Sequence, residues 1–413
     1  MILFLSTNDI LGGAATVTYR LVEALRERGV DARMLVARKD SDETWVARVA
    51  PWLHKAAKTA ERAEIFINNG FNMADLWAVS TARFGARVSR HPWVREADVI
   101  VLGWVSQGFV SLGDIRRILA SGKRTAWMMH DLWCATGICH LPGGCSRYEE
   151  GCGRCPLLHW ERRRGDMSRL VWQRKADLLI DAPITYIAVR NSQRDAALRS
   201  PLLRNSRIEV LPHAFPVDLY DTRPESDAAP AFLDGLDGKK IIAMGAARLD
   251  DPIKDLPAAI GALNRVADSY PDVADGCVAL FFGALRNPHA LDSLRLPHRH
   301  AGMLDSAQLR ELYARSSVVL STSKFETMGA TLMEGMAAGA TIVTFGGDGR
   351  NDIVTHGVNG YIAENGDTAA LARYIAQALA SPYPRDAQHR SVASRFSSQA
   401  VAEKFLDIIG YTQ

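Results

Sequence analysis

Two glutamates, Glu326 and Glu334, stand eight positions apart in the segment FETMGATLMEGMAAG. The preceding run 317–321 is apolar and β-branched like a buried parallel strand, and the stretch 330–338 contains no helix breaker except a glycine. Glu326 is therefore predicted in a strand-to-helix turn at the sheet edge where ligands bind, with Glu334 about two turns further on nearly the same face. Two carboxylates so placed could hold two hydroxyl-rich parts of one ligand. The alternative is an amphipathic helix with one capping and one solvent-exposed glutamate.

Two other loops follow predicted strands. Gly12 and Gly13 come between the first strand and a helix, where backbone N–H groups without neighbouring side chains admit a phosphate closely. A plain tight turn is the alternative, and the full G-x-G-x-x-G pattern of dinucleotide sites is missing. In the loop ARLDDPIKDL, Arg248 and Lys254 form a basic pair, for which two solvated surface cations are the alternative.

Length and composition limit the class of protein. A chain of 413 residues is too long for one ordinary core and fits two domains. A hydrophobic content of 47%, a charged content of 23% and a net charge of +3 are typical of a globular protein without the basic excess of a nucleic-acid binder. The N-terminus MILFLSTND lacks the features of a secretory signal, and no apolar run approaches the roughly 18 residues of a spanning helix. These features predict a cytoplasmic protein, whose cysteines are thiols or metal ligands rather than disulfides.

The elements that must position these residues alternate along the chain. In the first half a helix over 16–28 accompanies buried-strand runs at 2–6, 32–37, 98–102, 125–129, 184–189 and 208–211. In the second half helices near 255–269, 305–315 and 367–380 accompany strand runs at 241–246, 278–283, 317–321 and 341–345. A segment between 213 and 239, rich in Pro, Asp and Ala, marks the joint. Two α/β halves, each a doubly wound parallel sheet, are therefore predicted.

Together, the carboxylate motif, the Gly-rich first turn and the basic pair resemble the GT-B retaining glycosyltransferases of family four, over most of the chain. The block HDLWCATGICHLPGGCSRYEEGCGRCPLL resembles a subgroup found in bacterial exopolysaccharide and lipopolysaccharide assembly, of the colanic-acid type. The resemblance implies two Rossmann-like domains facing across a cleft. Residues 1–214 would form the acceptor-side domain, 215–395 the nucleotide-sugar-binding domain, and 396–413 a last helix crossing back to the first domain.

The resemblance also implies roles for the donor-binding residues. Glu326 would contact the hydroxyls of the donor sugar, and Glu334 those of the ribose. Sugar or phosphate oxygens would be held at the helix start by the backbone amides of Met328, Gly329 and Ala330, and beside the diphosphate by Gly12 and Gly13. Because the family is thought to react on the front face, with the departing phosphate helping to remove the acceptor proton, neither glutamate is assigned as a nucleophile.

Charge on the leaving diphosphate would be offset by Arg248 and Lys254, with no metal required for catalysis. Here the loop is one residue longer than the R-L-x-x-x-K-G pattern of the family, and Asp255 replaces the glycine. His130 matches the histidine that contacts the donor sugar, although a strand-end histidine with a purely structural role is the alternative. Asp131 would orient the ring of His130 or meet the acceptor hydroxyl.

Five of the six cysteines lie in the loop 134–155. Four of them could close a tetrahedral zinc site that fastens the loop, with His140 as a spare ligand: Cys139, Cys145, Cys152 and Cys155. Because the block contains a single C-x-x-C, metal-free thiols and disulfides are the alternatives. The loop is expected to shape the acceptor side of the predicted cleft.

A membrane contact is suggested by the segment WLHKAAKTAERAEIFI. It sets Lys55, Lys58 and Arg62 along one helical face beside Trp52 and Leu53, a pattern that could rest on an anionic bilayer. A solvated face on an ordinary surface helix is the alternative.

The resemblance thus predicts a retaining glycosyltransferase that moves a sugar from a nucleotide-diphosphate donor to a hydroxyl of a lipid-linked bacterial saccharide, at the inner face of the cytoplasmic membrane. Neither a catalytic cofactor nor a nucleic-acid partner is expected. Another GT-B activity, such as a nucleotide-sugar epimerase or disaccharide synthase, is one alternative. A non-catalytic carbohydrate-binding scaffold is the other.

Overall fold

A computed structural model describes residues 1–159, 166–225, 228–324, 329–347 and 349–411. The chain divides into two compact units. Unit 1 comprises Met1–Ala214 together with Val401–Gln413, and unit 2 comprises Phe215–Ala400.

Helices and strands alternate through the first part of unit 1. In chain order they are β1 (Ile2–Asn8), α1 (Gly13–Glu27), β2 (Ala32–Arg38), β3 (Val46–Arg48), α2 (Pro51–Asn68), α3 (Pro92–Glu96), β4 (Val99–Leu102), α4 (Leu112–Ala120), β5 (Arg124–Met129), α5 (Met167–Leu179), β6 (Ile184–Ala188), α6 (Asn191–Arg199) and β7 (Ile208–Val210). The strands pair in parallel in the order β3-β2-β1-β4-β5-β6-β7. Strand order reverses between β1 and β4, and ligands of doubly wound sheets bind beyond the carboxyl ends at such a point.

Unit 2 repeats this plan. Its elements are β8 (Lys240–Arg248), α7 (Leu256–Ser269), α8 (Pro271–Ala274), β9 (Cys277–Ala284), β10 (His298–His300), α9 (Ser306–Arg315), β11 (Ser316–Ser321), α10 (Ala330–Ala337), β12 (Thr341–Phe345), β13 (Gly360–Ala363), α11 (Thr368–Ala380) and α12 (Arg385–Phe396). The parallel order is β10-β9-β8-β11-β12-β13, with the reversal between β8 and β11. The prediction of two α/β units with parallel sheets is confirmed.

Local sequence explains where several helices begin. Ser111 accepts a hydrogen bond from the backbone N–H of Asp114, whose carboxylate accepts from Ser111 in return, so a capping box opens α4. Asp305 and Gln308 form the same reciprocal pair at the start of α9. Side chains therefore satisfy backbone N–H groups that would otherwise lack partners in the first turn.

The last helix, α13 (Ser398–Ile409), belongs to unit 1 from Val401 onward. Its apolar face packs on the sheet, and the ring centroids of Phe405 and Phe4 are 5.5 Å apart. Both side chains are fully buried. The C-terminal segment therefore contributes to the core of unit 1.

The basic face predicted on α2 is wrong in one member, because Arg62 is buried. Its guanidinium lies 2.8 Å from the carboxylate of Glu61 and donates to the backbone carbonyls of Leu76 and Val79. The chain after α2 packs over this pair, so Arg62 faces protein rather than solvent. Of the other two cations, Lys55 is exposed and Lys58 lies over the Trp77 ring at 5.2 Å. Within the described part of the chain, no helix combines the length and apolar character needed to cross a bilayer.

Candidate functional site

In unit 1, the loop after β1 presents an open glycine turn. Gly12 has φ 96°, a conformation that favours glycine, and α1 starts directly after it without a side-chain cap. A Cβ atom built on Gly12 or Gly13 meets no described atom within 4 Å. The first turn of α1 therefore offers backbone N–H groups beside empty space, which suits an anion.

At the end of β5, which β4 separates from β1 in the sheet, His130 is held by α1. Its Nε2 lies 3.0 Å from Thr18 Oγ1, and the Thr18 hydroxyl donates to the carbonyl of Ala14. Because that hydroxyl has one proton, Nε2 must be the donor to Thr18, and Nδ1 carries the lone pair. Burial lowers the pKa of His130 to about 4, so the ring is neutral near pH 7. Nδ1 has no hydrogen-bond partner among the described residues and can accept from a ligand hydroxyl.

A second imidazole, that of His213, lies beside the first. The ring centroids of His213 and His130 are 5.9 Å apart, and burial lowers the pKa of His213 to about 3. Its Nε2 also lacks a partner among the described residues. His213 is not among the predicted site residues, because nothing in LPHAFP distinguishes a site histidine from a loop histidine.

Asp131 is engaged by groups other than His130. Its carboxylate accepts from Trp104 Nε1 at 2.9 Å, from the backbone N–H of Trp133 at 2.8 Å, and lies 2.6 Å from His140 Nδ1. Burial alone would raise the pKa of Asp131, but these partners lower it, so the carboxylate stays ionised. It is held by His140, and no hydrogen bond between Asp131 and the His130 ring is found among the described residues. Of the two predicted roles, orienting that ring is therefore not observed, and meeting the acceptor hydroxyl stays a prediction.

In unit 2, the predicted basic pair lies on one cavity of about 330 Å³. The cavity is lined by Gly245, Ala246, Ala247, Arg248, Asp251, Lys254, Ala330 and Thr331. These residues come from the end of β8, the loop after it and the start of α10. The site therefore combines two cations with the N-terminus of α10. The cap of this helix is Gly329, which has no side chain to bond to the N–H groups of the first turn.

Within this cavity, Arg248 has a carboxylate partner. Its guanidinium lies 2.8 Å from Asp251 and 3.8 Å from Asp250, and the side chain is about one-third exposed. An entering anion would compete with Asp251 for the guanidinium. The arrangement can bind a diphosphate and neutralise charge that develops on it.

The wall of the cavity depends on two glycines. A Cβ on Gly245 would lie 2.4 Å from the ring of Phe282, and one on Gly283 would lie 1.7 Å from the carbonyl oxygen of Ala246. Gly283 also has φ 107°. The ends of β8 and β9 therefore approach more closely than any side chain at these positions permits.

The glutamate motif is only partly described. Glu326 and Met328 lie outside the described residues, whereas Gly329 caps α10 and Ala330 begins it. Glu334 is one turn into α10, beside the hydroxyls of Tyr220 and Tyr313, and burial raises its pKa. It does not line the Arg248 cavity described above.

Four cysteines surround a second, much smaller cavity of about 20 Å³. They are the four predicted ligands, Cys139, Cys145, Cys152 and Cys155, and all are free thiols. His140, the spare ligand, is instead hydrogen-bonded to Asp131 and lies 3.2 Å from Ser80 Oγ. Among the described residues, no three His, Cys, Asp or Glu side chains are already placed to ligate one metal ion.

Comparison with known proteins gives matches to glycosyltransferases. Residues 293–395 match the family model for glycosyl transferases group 1. EpsD of Bacillus subtilis (strain 168), described as a glycosyltransferase, is 31% identical over 105 residues, or 25% of this chain and 28% of EpsD. The alpha-maltose-1-phosphate synthase of Mycolicibacterium smegmatis is 26% identical over 278 residues, or 61% of this chain and 70% of that enzyme. The match to EpsD thus spans less than two thirds of that relative.

Among solved structures, Anabaena HepE in complex with UDP has a TM-score of 0.57 at 16% identity, with 100% of both chains covered. At this identity the likeness shows the fold. Residues 293–395 therefore carry the sequence pattern of glycosyl transferases group 1, and the chain has the fold of GT-B glycosyltransferases.

Proposed function

We propose that this protein is a retaining glycosyltransferase that moves a sugar from a nucleotide-diphosphate sugar to a saccharide hydroxyl. The observation that carries the proposal is the cavity in unit 2, where Arg248, Lys254 and the N-terminus of α10 meet. Cleaving a nucleotide-diphosphate sugar places negative charge on the departing diphosphate. Two cations and a helix N-terminus stabilise that charge more in the transition state than in the bound donor.

Unit 2 is accordingly proposed as the nucleotide-sugar-binding unit. UDP is the proposed nucleotide, since the HepE structure contains it. Glu326 is proposed to contact the donor sugar and Glu334 the ribose, and a hydroxyl reaching Glu334 would compete with the tyrosines beside it.

Unit 1 is proposed to handle the sugar and the acceptor. His130 offers a neutral imidazole with an acceptor lone pair, as a sugar hydroxyl requires, and the glycine turn at Gly12 and Gly13 suits a phosphate. Asp131 is proposed to meet the acceptor hydroxyl, because its ionised carboxylate can accept a hydrogen bond.

The acceptor is proposed to be a lipid-linked saccharide of bacterial exopolysaccharide or lipopolysaccharide assembly, used at the inner face of the cytoplasmic membrane. Large apolar side chains on α2 and directly after it are exposed, namely Trp52, Phe71, Met73 and Trp77. Lys55 adds an exposed cation to this surface. Apolar side chains with neighbouring cations are suited to an anionic bilayer.

This membrane contact predicts that a Trp52→Ser/Phe71→Ser double variant pellets less with phosphatidylglycerol vesicles than the unmodified protein does. Removing two exposed apolar side chains reduces the area that can enter the bilayer. Met303→Ser removes a similarly exposed apolar side chain from unit 2 and serves as the control. Unchanged pelleting of the double variant would remove the proposed contact.

The function is tested by measuring nucleoside-diphosphate release from UDP-, GDP- and ADP-sugars. We expect slow hydrolysis of one donor, and Arg248→Ala should lower kcat/KM for it by about 100-fold or more because the leaving group loses its cation. Arg295→Ala is the matched control, since Arg295 pairs with Asp268 outside the cavity. Equal loss in both variants would contradict the assignment of Arg248.

Product analysis on the same panel separates the alternatives. An epimerised nucleotide sugar would indicate an epimerase, and a free disaccharide would indicate a disaccharide synthase. Absence of both turnover and donor-induced thermal stabilisation would favour a carbohydrate-binding scaffold.

A further inference from the structure

The cysteine-lined cavity in unit 1 has no role in the proposed transfer reaction. At about 20 Å³ it holds roughly one water-sized occupant. Four cysteines of the loop line this one cavity: Cys139, Cys145, Cys152 and Cys155. The remaining two cysteines, Cys134 and Cys277, do not line it and are buried elsewhere.

Backbone N–H groups are already directed at two of the sulfurs. The N–H of Gly137 donates to Cys152 Sγ at 3.1 Å, and the N–H of Leu157 interacts with the sulfur of Cys155. Hydrogen bonds of this kind stabilise sulfur in its thiolate form. They would therefore stabilise a metal-bound thiolate at these two positions.

A buried lysine accompanies the sulfurs. Lys175 is fully buried, and its Nζ donates to the carbonyls of Trp133 and Thr136 at 2.5 and 3.1 Å. Cys139 and Cys152 are close enough to interact with this amine. Four thiolates around one divalent ion leave an excess of negative charge, and the amine of Lys175 can hold a proton beside them.

We propose that Cys139, Cys145, Cys152 and Cys155 bind one Zn²⁺ as a tetrahedral tetrathiolate. Binding releases four thiol protons and forms four zinc–sulfur bonds, with no change in oxidation state. The side chains must rotate inward around the cavity, since their present positions do not yet form a ligand set. A site with four protein ligands has no open position, so the ion is structural rather than catalytic.

The ion would fix a loop that reaches the candidate active site. His140 follows Cys139 directly, and its Nδ1 lies 2.6 Å from Asp131. Fixing Cys139 thus also limits the movement of His140 and of the carboxylate that it holds. In this respect the proposed zinc site positions Asp131 without touching substrate.

The test measures metal content in the full-length, tag-free protein purified under reducing conditions without chelator. We expect about one zinc per chain in the unmodified protein and in the control Cys277→Ser, and a loss of most of the zinc in Cys145→Ser and Cys152→Ser. Substitution with Co²⁺ should give thiolate-to-cobalt charge-transfer absorption and the visible bands of tetrahedral cobalt. These readouts do not depend on glycosyl transfer, so the zinc site and the transfer reaction can fail separately.

Measurements on the unmodified protein keep the proposal falsifiable even where a cysteine variant misfolds. Absence of zinc together with absence of the cobalt spectrum, after incubation of the reduced protein with either metal, would overturn it. So would a thiol titration of the denatured, unreduced protein showing four free thiols or fewer, because each disulfide removes two of the six thiols. Zinc retained at full occupancy in Cys152→Ser would also exclude the proposed ligand set.

Discussion

Two neutral imidazoles, His130 and His213, define the electrostatics at the end of β5. Burial lowers the pKa of His130 to about 4, against the opposing effect of the Asp131 carboxylate. Burial, together with the nearby His130 ring, lowers the pKa of His213 to about 3. Near pH 7, both therefore act as neutral hydrogen-bonding groups. His130 is thus suited to holding a sugar hydroxyl and unsuited to acting as a cation toward a diphosphate.

This burial predicts a loss of stability in acid. In the unfolded chain the imidazole has a pKa of about 6.5, so it is protonated below that pH. In the folded protein His130 stays neutral down to about pH 4, so protons bind preferentially to the unfolded chain between these two pH values. The contribution of neutral His130 to the free energy of unfolding is therefore fully present above pH 6.5, and it is lost progressively as the pH falls toward 4. After allowing for partial exposure of the ring, His130→Gln should reduce the decline in the free energy of unfolding over this range by about 2 kcal/mol.

Tryptophan fluorescence during urea unfolding measures this effect in unit 1 alone, since all nine tryptophans lie within residues 45–172. His289→Gln is the control, because His289 is an exposed histidine of unit 2. The same pH dependence in His130→Gln and in the unmodified protein would contradict the prediction.

Among the elements, β8 and β9 must end very close together to form the wall of the Arg248 cavity. Gly283 permits this contact because it has no Cβ and adopts φ 107°. The sequence predicts a strand end here but carries no signal for the close approach, which depends on two residues 37 positions apart, Ala246 and Gly283.

We therefore expect Gly283→Ala to destabilise unit 2 by about 3 kcal/mol or more. The new methyl group would overlap the carbonyl oxygen of Ala246 and strain a left-handed backbone. Far-UV circular dichroism would report the loss, while the tryptophan fluorescence of unit 1 would show its transition unchanged. Gly261→Ala is the control, because its Cβ meets only a methyl group of Thr368 at 3.7 Å. Equal stability of the two variants would disprove the steric account.

In the molecule as a whole, the two units share the order of six strands, to which unit 1 adds β7, but they differ in their loops. Each sheet reverses its order beside its first strand, at β1/β4 and at β8/β11. The glycine turn and the basic cavity follow β1 and β8, respectively. Repetition of one fold plan thus places ligand-binding groups at equivalent strand ends in both units.

The C-terminal helix also acts at this scale, since it joins the end of the chain to the core of unit 1. Phe405→Ala should lower the free energy of unfolding of unit 1 by about 3 kcal/mol, because it leaves a cavity against Phe4. Lys404→Ala, on the exposed face of the same helix, should change it by less than about 0.5 kcal/mol. Urea unfolding followed by tryptophan fluorescence gives both values, and equal effects would show that α13 does not stabilise unit 1.

The fold class and most elements could be predicted from the amino-acid pattern. Long apolar runs such as 317–321 and 341–345 predicted their strands because a parallel strand covered on both faces must be apolar throughout. The edge strands β3, β10 and β13 were not predicted. They contain three or four residues, and the HRH of β10 has no apolar pattern.

Only the tertiary structure decided which chemical groups meet. The sequence identified Arg248, Lys254, His130 and four cysteines by type and spacing, but it could not show that Arg248 pairs with Asp251 or that His140 holds Asp131. The helical pattern also places Arg62 on an exposed basic face, whereas the folded chain buries it beside the carboxylate of Glu61. Local patterns encode elements because neighbours in sequence are fixed by backbone geometry. Burial, pKa and partner choice depend on groups that are distant in sequence, and those meet only when the chain folds.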